Sequence, residues 1–449
     1  MRLLSWFLGR LVREGTLTVI GPDGRAETFG GEPGHQVTVR IHDPRFDWRL
    51  LKGAELMVPE AYMDGSLTFE KGNLRELIAL YNTNLERRGA SQVETAFERV
   101  VRVTHRFIDH NTPQRARRNA AAHYDMGNEL YRLFLDEDMQ YSCAYFPTGE
   151  ETLEQAQLAK KRHIAAKLLL APGQRVLDIG CGWGGMALYL AQVADVEVLG
   201  VTLSERQLEV ARARARAAGL ADRVTFELMD YRDVRGQFDR IVSVGMMEHV
   251  GIGQLGPYFA NVLQRLTPDG VALIHSIVRK EPPGLTSTFT RKYIFPGGYI
   301  PALSETMVAV ERARLWLLDC EIWRRHYGLT IGHWYDRFAA NRDKAKAMHD
   351  ETFCRMWEVY LAGAEGAFLT GPMAVMQLQL GRQRDAVPLT RDYLAEQTGR
   401  LRARERREAG SKSGPHGGRH GGPHGEPHGG PHGGPDAGHD KAPSIEPAK

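Results

Sequence analysis

One segment constrains the fold more than any other: RVLDIGCGWGG, residues 175–185, in which an apolar strand pattern leads directly into a glycine-rich loop. The helical pattern MALYLAQVA follows without a break. Glycine permits a tight turn and lets backbone N–H groups approach a ligand closely. A strand, a glycine loop and a helix in this order therefore predict a ligand-binding turn in an α/β protein.

This segment lies within a longer alternation of apolar strands and helices, from residue 153 to about residue 279. The predicted strands are RVLDIG, VEVLGVTL, VTFELMD, FDRIVSVG and VALIHSIV. Strands that alternate with helices predict a doubly wound parallel sheet. Phosphate-binding folds stay open, but no GK[ST] ends the loop as in a P-loop. The GxGxG spacing after Asp178 also differs from the GxGxxG of a pyrophosphate site.

The two ends of the chain have different patterns. Short alternating runs between about residues 15 and 70, such as GTLTVIG and HQVTVRIHD, predict small strands. MRLLSWFLGRLVREG predicts an amphipathic surface helix, and NLRELIALYNTNLERR and ETAFERVVRVTHRFIDH predict further helices. After Gly410 the sequence has few apolar residues to bury, which predicts a disordered tail. Its regularly spaced histidines are more typical of a solvated tail than of a metal site.

Charge and cysteine content exclude several classes of protein. A formal charge of +3 over 449 residues does not favour nucleic acid as a partner. A local basic cluster, Arg99, Arg102, Arg106, Arg115, Arg117 and Arg118, is either a surface for lipid phosphates or a solvated helix and linker. The four cysteines are scattered, so we expect no metal site and a reducing cytoplasm. No segment approaches the ~20 apolar residues that span a bilayer.

VLDIGCGWGG resembles the first motif of class I S-adenosylmethionine-dependent methyltransferases. The wider resemblance is to the cyclopropane-fatty-acyl-phospholipid synthase and mycolic acid cyclopropane synthase family, from about residue 123 to residue 379. It rests on AAHYDMGNELYRLFLDEDMQYSCAYF, GVTLSERQ, DYRD, FDRIVSVGMMEHVG and RKYIFPGGYIP. YMDGSLTFEKGNL resembles the smaller N-terminal domain of the bacterial phospholipid enzymes. The resemblance implies an α/β fold, with a class I methyltransferase (Rossmann-like) domain after a small α+β N-terminal domain.

We therefore divide the chain into four parts. Residues 1–105 are predicted to form a small lipid- or partner-binding domain, and residues 106–385 the methyltransferase domain with an aromatic-rich substrate insertion at 281–345. A charged helix at 386–409 and a disordered tail at 410–449 follow. Four tryptophans of the insertion and the region after it lie in patterns that predict helices: Trp316, Trp323, Trp334 and Trp357.

The resemblance implies where S-adenosylmethionine binds. The second strand of many methyltransferases ends in an acid that bonds the ribose, but here Thr202 and Gln207 take its place, as in the family. The implied cofactor residues are Tyr141, Ser142, Asp178, Gly180, Gly182, Gly184, Thr202, Leu203, Gln207, Asp230 and Tyr231. For Leu203 and Tyr231, simple core packing is the alternative.

The chemistry of an alkene sets the demands on a reactive site. An alkene is a feeble nucleophile, so the two reactants need close alignment in a dry site. The resulting carbocation needs an apolar pocket lined by aromatic rings and then a base to remove a proton.

In the family that base is a bound bicarbonate, and the matching residues are Cys143, Glu248, His275 and Tyr327. We expect shifted pKa values for Glu248 and His275. Taken singly, Cys143 and His275 are also compatible with a packed core.

Two departures put the product in doubt: Ala364 stands where the family has a cysteine, and no arginine follows Phe368. Formation of a cyclopropane is the favoured hypothesis, with an unsaturated phospholipid of the membrane surface as substrate. Methyl-branching of the acyl chain and a non-catalytic lipid-binding role are alternatives, and a methyltransferase for a soluble amine or acid is a third.

We expect a cytoplasmic protein peripherally bound to the inner face of the membrane. The oligomeric state, a homodimer being one option, stays open.

Overall fold

The computed structural model describes residues 2–50, 53–88 and 127–412. The chain forms two compact units, residues 1–405 and residues 406–449. The second unit is described only over residues 406–412, which are helical. The predicted basic cluster at 99–118 and the histidines of the predicted tail lie outside the described residues. How residues 1–405 divide into domains stays a prediction.

The N-terminal part of the chain contains a small mixed sheet. Its strands are β1 (Glu14–Ile20), β2 (Ala26–Gly30), β3 (Glu32–Ile41) and β4 (Leu67–Lys71), in the order β2-β1-β3-β4. The helices are α1 (Arg2–Leu11), α2 (Phe46–Leu50), α3 (Ala54–Met63) and α4 (Leu74–Arg88). Leu4, Leu8 and Leu11 of α1 are buried whereas Trp6 is exposed. This spacing confirms the predicted amphipathic helix.

A seven-stranded sheet forms the centre of the larger part of the chain. Its strands are β5 (Arg175–Ile179), β6 (Glu197–Thr202), β7 (Val224–Leu228), β8 (Phe238–Val244), β9 (Leu266–Arg279), β10 (Trp316–Trp323) and β11 (Met373–Gly381). Their order is β10-β11-β9-β8-β5-β6-β7. The five predicted strands are β5 to β9, and they pair in parallel, which confirms the predicted fold class.

Two strands of this sheet are absent from the sequence prediction. β11 pairs antiparallel with β9, and β10 pairs antiparallel with β11 at the edge. The prediction that Trp316 and Trp323 lie on helices is therefore wrong, since both belong to β10. The strand WLLDCEIW has apolar residues on both faces, so a period of two is hard to see in it. Trp334 and Trp357 lie on helices as predicted.

Helices cover both faces of the sheet. They are α5 (Asn128–Arg132), α6 (Leu153–Leu168), α7 (Gly185–Ala194), α8 (Glu205–Ala217), α9 (Leu255–Arg265), α10 (Leu303–Arg312), α11 (His326–Ala340), α12 (Arg342–Met348), α13 (Glu351–Leu369) and α14 (Asp392–Lys412). Neighbours on β5, Val176 and Leu177, belong to different hydrophobic cores because successive side chains of a strand point to opposite faces. Within the described ranges, no helix combines the length and apolar content that a membrane crossing requires.

Candidate active site

The glycine loop after β5 adopts a conformation that few other residues tolerate. The φ angles of Gly180, Gly182 and Gly184 are 81°, 53° and 84°, in the left-handed region where a side chain is strained. A Cβ atom on Gly184 would lie 2.6 Å from the ring of Phe226, whereas one on Gly182 would meet open space. Gly184 therefore serves the packing of α7 against β7, and Gly182 borders a space that a ligand can enter.

A cavity opens beside this loop, at the carboxyl ends of β5, β6 and β8. Among the predicted cofactor residues, those that line it are Tyr141, Ser142, Asp178, Gly180, Gly182, Thr202, Leu203, Gln207, Asp230 and Tyr231. Gly184 does not line the cavity, and its contact with the cofactor stays a prediction. The structure thus brings predicted residues from four separate segments to one cavity. Which of them contact a bound ligand stays a prediction.

Asp178 contributes a buried carboxyl group to the cavity wall. It is 2% exposed, and its Oδ2 has no hydrogen-bond partner among the described residues. Burial raises the pKa of this carboxyl to about 7, while the nearby Lys160 acts to lower it. A buried carboxylate oxygen without a partner fits a cationic ligand group, such as the ammonium of a methionine moiety. The loop and this acid together fit S-adenosylmethionine.

The far side of the cavity is polar as well. Thr202 donates a hydrogen bond from Oγ1 to Oε1 of Gln207 over 3.0 Å. Asp230 accepts hydrogen bonds from Nε and Nη2 of Arg232, at 2.8 and 2.6 Å. Arg232 also lines the cavity and was missed by the sequence prediction, although the DYRD motif contains it. The carboxyl of Asp230 is therefore paired with this arginine rather than an isolated charge in the cavity wall.

An aromatic cluster adjoins the cavity. We define it by the rings of Tyr131, Phe134, Tyr141, Trp183, Phe295, Trp323, Tyr327, Trp334, Trp357 and Tyr360. Tyr141 connects the two regions, because it lines the cavity while its ring lies 5.2 Å from that of Trp334. Its hydroxyl lies 2.7 Å from the hydroxyl of Tyr360. Three tryptophans of the predicted aromatic region belong to the cluster, whereas Trp316 is 51% exposed and lies apart from it.

Cys143 is buried in the hydrophobic core that contains this cluster, and Tyr327 packs against that core. Burial raises the pKa of the Cys143 thiol, and the neighbouring amide of Ala144 donates a 3.0 Å hydrogen bond to Thr330 on α11. Tyr327, also on α11, packs its ring 4.7 Å from that of Phe368. Helix α11 therefore positions both candidate residues relative to one another.

Glu248 and His275 lie near the carboxyl end of β9. Oε1 of Glu248 accepts a 2.6 Å hydrogen bond from the backbone N–H of Ile277, and Oε2 has no partner in the described structure. Nδ1 of His275 lies 3.1 Å from Nε2 of Gln377 on β11. Burial raises the pKa of Glu248 and lowers that of His275 well below its usual range. Both shifts are in the directions expected for buried groups.

Three of the four candidate residues, Cys143, His275 and Tyr327, contact the aromatic cluster or its hydrophobic core directly, and Glu248 is connected to it through Ile277. The ring of His275 lies 5.1 Å from that of Trp323, and Ile277, which bonds Glu248, packs against the cluster. In the described part of the chain, Cys143, Glu248 and His275 hydrogen-bond to other residues rather than to one another. A shared bicarbonate site therefore stays a prediction.

Sequence reasoning missed several residues of the site. Gln140, Met246 and His249 line the cavity, and burial lowers the pKa of His249 to about 4. His249 directly follows Glu248 in the motif GMMEHVG, which was the available signal. Lys160 lies behind the cavity wall, where its position on a charged helix gave no local sign of burial.

Comparisons with known proteins agree with this geometry. A sequence model of the family described as mycolic acid cyclopropane synthetase matches residues 111–378. A probable fatty acid methyltransferase of Pseudomonas putida is 36% identical over 363 residues, which cover 79% of this chain and 89% of the relative. The cyclopropane-fatty-acyl-phospholipid synthase of Escherichia coli (strain K12) is 37% identical over 346 residues, which cover 77% of this chain and 87% of that protein.

Solved structures give the same result. The mycolic acid cyclopropane synthase CmaA1, solved in complex with SAH and CTAB, superposes with a TM-score of 0.56 at 31% sequence identity. The match covers 59% of this chain and 97% of that one.

Proposed function

The chain belongs to the mycolic acid cyclopropane synthetase family, is an S-adenosylmethionine-dependent enzyme, and we propose on that premise that it acts on an unsaturated acyl chain of a membrane phospholipid. The proposed reaction adds a methylene group to the double bond and forms a cyclopropane. The observation that carries this proposal is the junction at Tyr141, where the cofactor cavity meets a buried aromatic cluster.

The cavity residues bind and orient the cofactor. S-adenosylmethionine, when bound, supplies an electrophilic methyl group. Asp178 would hold its ammonium, and the backbone of Gly180 and Gly182 would permit close approach. Thr202 and Gln207 would hold the ribose. Holding the methyl group in line with a double bond is the main contribution that a protein can make to so weak a nucleophile.

In the proposed complex, the aromatic cluster surrounds the acyl chain of the substrate. Trp323, Trp334 and Trp357 are fully buried, and their indole N–H groups have no hydrogen-bond partner among the described residues. Such dry, apolar surroundings favour an apolar chain over a polar metabolite and exclude water that would capture a cation. Ring faces also stabilise positive charge as it develops on the substrate.

In the proposed reaction, Glu248 and His275 take part in removing a proton from the new methyl group. Bicarbonate, when bound, supplies the base that removes a proton from the new methyl group. The unpartnered Oε2 of Glu248 and its raised pKa fit a carboxyl that shares a proton with an anion. Nδ1 of His275 is engaged by the amide of Gln377, which leaves Nε2 of the ring available to the proposed site. These residues therefore fit an anion site of the predicted kind.

Methyl-branching of the acyl chain is the second candidate. It is favoured by the naming of the Pseudomonas putida relative as a probable fatty acid methyltransferase, and by Ala364, which lies half-buried against the aromatic cluster where the family has a cysteine. The same cavity and cluster serve both outcomes, because the routes share a cation and differ only in how it loses its charge.

The test is an assay of label transfer from S-adenosyl-[methyl-¹⁴C]methionine to phospholipid vesicles. We expect incorporation into vesicles with unsaturated chains and none into vesicles of fully saturated lipid. Removal of bicarbonate from the buffer should reduce the rate, and its return should restore it. Turnover of a water-soluble amine or acid, with vesicles ignored, would overturn the proposed substrate.

A further inference from the structure

Lys160 is a buried cation that no part of the proposed mechanism uses. Its side chain, on α6, is fully buried. Nζ donates hydrogen bonds to Oε1 of Gln140 over 2.6 Å and to Oγ of Ser142 over 2.8 Å. Both acceptors are neutral, whereas a buried ammonium is normally paired with a carboxylate. Burial accordingly lowers the pKa of Lys160 to about 8.

The two acceptors place this charge directly behind the cofactor cavity. Ser142 and Gln140 both line the cavity. Because the oxygen of Ser142 accepts a hydrogen bond from Lys160, its own O–H must point elsewhere. That O–H has no acceptor within the described residues, and the cavity is the space open to it. Ser142 therefore presents a donor to the ligand.

Asp178 borders the same cavity with an unpartnered oxygen, and it lies close enough to Lys160 for the ammonium to act to lower the pKa of this carboxyl. One end of the cavity thus offers a carboxylate for a cation and a hydroxyl donor, supported by a buried ammonium, for an anion. A free amino acid group carries both charges on one carbon atom. The arrangement complements such a zwitterion.

We propose that Lys160 is a positioning residue which directs the hydroxyl of Ser142 toward the carboxylate of the cofactor's methionine part, opposite the ammonium that Asp178 faces. Lys160 thereby makes the cavity selective for ligands that carry the intact amino acid. This inference rests on the assignment of S-adenosylmethionine to the cavity. A purely structural lysine would instead tie residues 140–142 to α6 and support all ligands equally.

The experiment compares two ligands on the variant Lys160→Met, which keeps the length of the side chain and removes the charge. S-adenosylhomocysteine carries the amino acid group, whereas 5′-methylthioadenosine lacks it. Calorimetry should show the affinity for S-adenosylhomocysteine falling about 10- to 100-fold, the usual effect of losing a charge-assisted contact. The affinity for 5′-methylthioadenosine should change by about threefold at most, because its contacts are elsewhere.

Lys167→Met is the matched control. Lys167 is also fully buried, two turns further along α6, but it bonds Glu321 and does not line the cavity. Its variant should lose thermal stability without changing the ratio of the two affinities. If Lys160→Met weakens both ligands by the same factor, the inference is overturned and Lys160 has only a structural role.

Ser142→Ala tests the same inference without removing a buried charge. It should reproduce the selective loss for S-adenosylhomocysteine, and an unchanged affinity ratio would contradict the inference even if Lys160→Met fails to fold. Failure of the native protein to bind S-adenosylhomocysteine would instead overturn the cofactor assignment itself.

Discussion

The cofactor cavity and the aromatic cluster adjoin at Tyr141 but are built in opposite ways. The cavity is formed around one contiguous strand, loop and helix, with backbone groups and charges such as Asp178 in its walls. The cluster is assembled from segments far apart in the chain, and its polar atoms include indole N–H groups without partners in the described residues. In the proposed function, one region binds its ligand through hydrogen bonds and charge, and the other contributes by excluding water.

The largest expected effect is the loss of cofactor binding in Gly182→Val. The left-handed φ of 53° strains any side chain, and a branched side chain would fill the space beside the loop. We expect a loss of more than about 100-fold in affinity for S-adenosylhomocysteine by calorimetry.

Gly219→Val provides the control for backbone strain. Gly219 has a φ of 66° with open space around its Cβ position, but it lies beyond the end of α8 and does not line the cavity. This variant should lose thermal stability and keep its affinity for S-adenosylhomocysteine. Normal affinity in Gly182→Val would show that the glycine loop is not the cofactor site.

Next in size is the effect of Glu248→Gln, which keeps the shape of the side chain and removes its charge. Loss of one charge-assisted hydrogen bond is worth about 1.5–3 kcal/mol, which corresponds to a rate reduced roughly 10- to 150-fold. Affinity for S-adenosylmethionine should be nearly intact, because Glu248 does not line the cavity. Normal turnover would indicate that proton removal does not depend on this carboxyl, and methyl-branching would become the favoured product.

Asp178→Asn should separate ligand binding from stability. Affinity for S-adenosylhomocysteine should fall about tenfold, because the ammonium loses its counter-charge. The folded-state pKa of about 7 exceeds that of an unfolded aspartate. The ionised carboxyl therefore costs stability, and this cost grows as pH rises from about 4 to about 7. At pH 8 the ligand-free variant should melt at a higher temperature than the native protein.

The pH dependence of binding provides an independent measurement. Affinity of the native protein should weaken as pH falls below about 7, where Asp178 gains a proton. The affinity of the Asp178→Asn variant should not weaken over this pH range. A variant that melts at a lower temperature and keeps the same pH profile would show that Asp178 is a structural partner within the protein.

The smallest expected effect is that of stopping the chain at Glu408. The removed residues include a long stretch rich in Gly, Pro and His with few apolar residues to bury. The value of kcat/KM on vesicles should be unchanged within error. A loss of activity in a folded protein would assign the histidines a role that the sequence did not predict.

The sequence predicted the cavity better than the cluster, for a physical reason. The glycine loop and β5 to β9 are encoded in contiguous patterns, so periodicity and glycine spacing are enough to predict them. The burial of Lys160, and the contact between Gln377 on β11 and His275 on β9, depend on which elements pack together. β11 itself was missed. Local patterns carry no information on such partners.

Mass spectrometry of phospholipids from cells that express the chain tests the central claim most directly. The account predicts that unsaturated acyl chains gain the mass of one CH₂ group and no longer react with an alkene-specific derivatising reagent. Their fragmentation should place a ring at the former double bond. A product of the same added mass that carries a methyl branch, or phospholipids unchanged by an enzyme shown to bind S-adenosylmethionine, would contradict it.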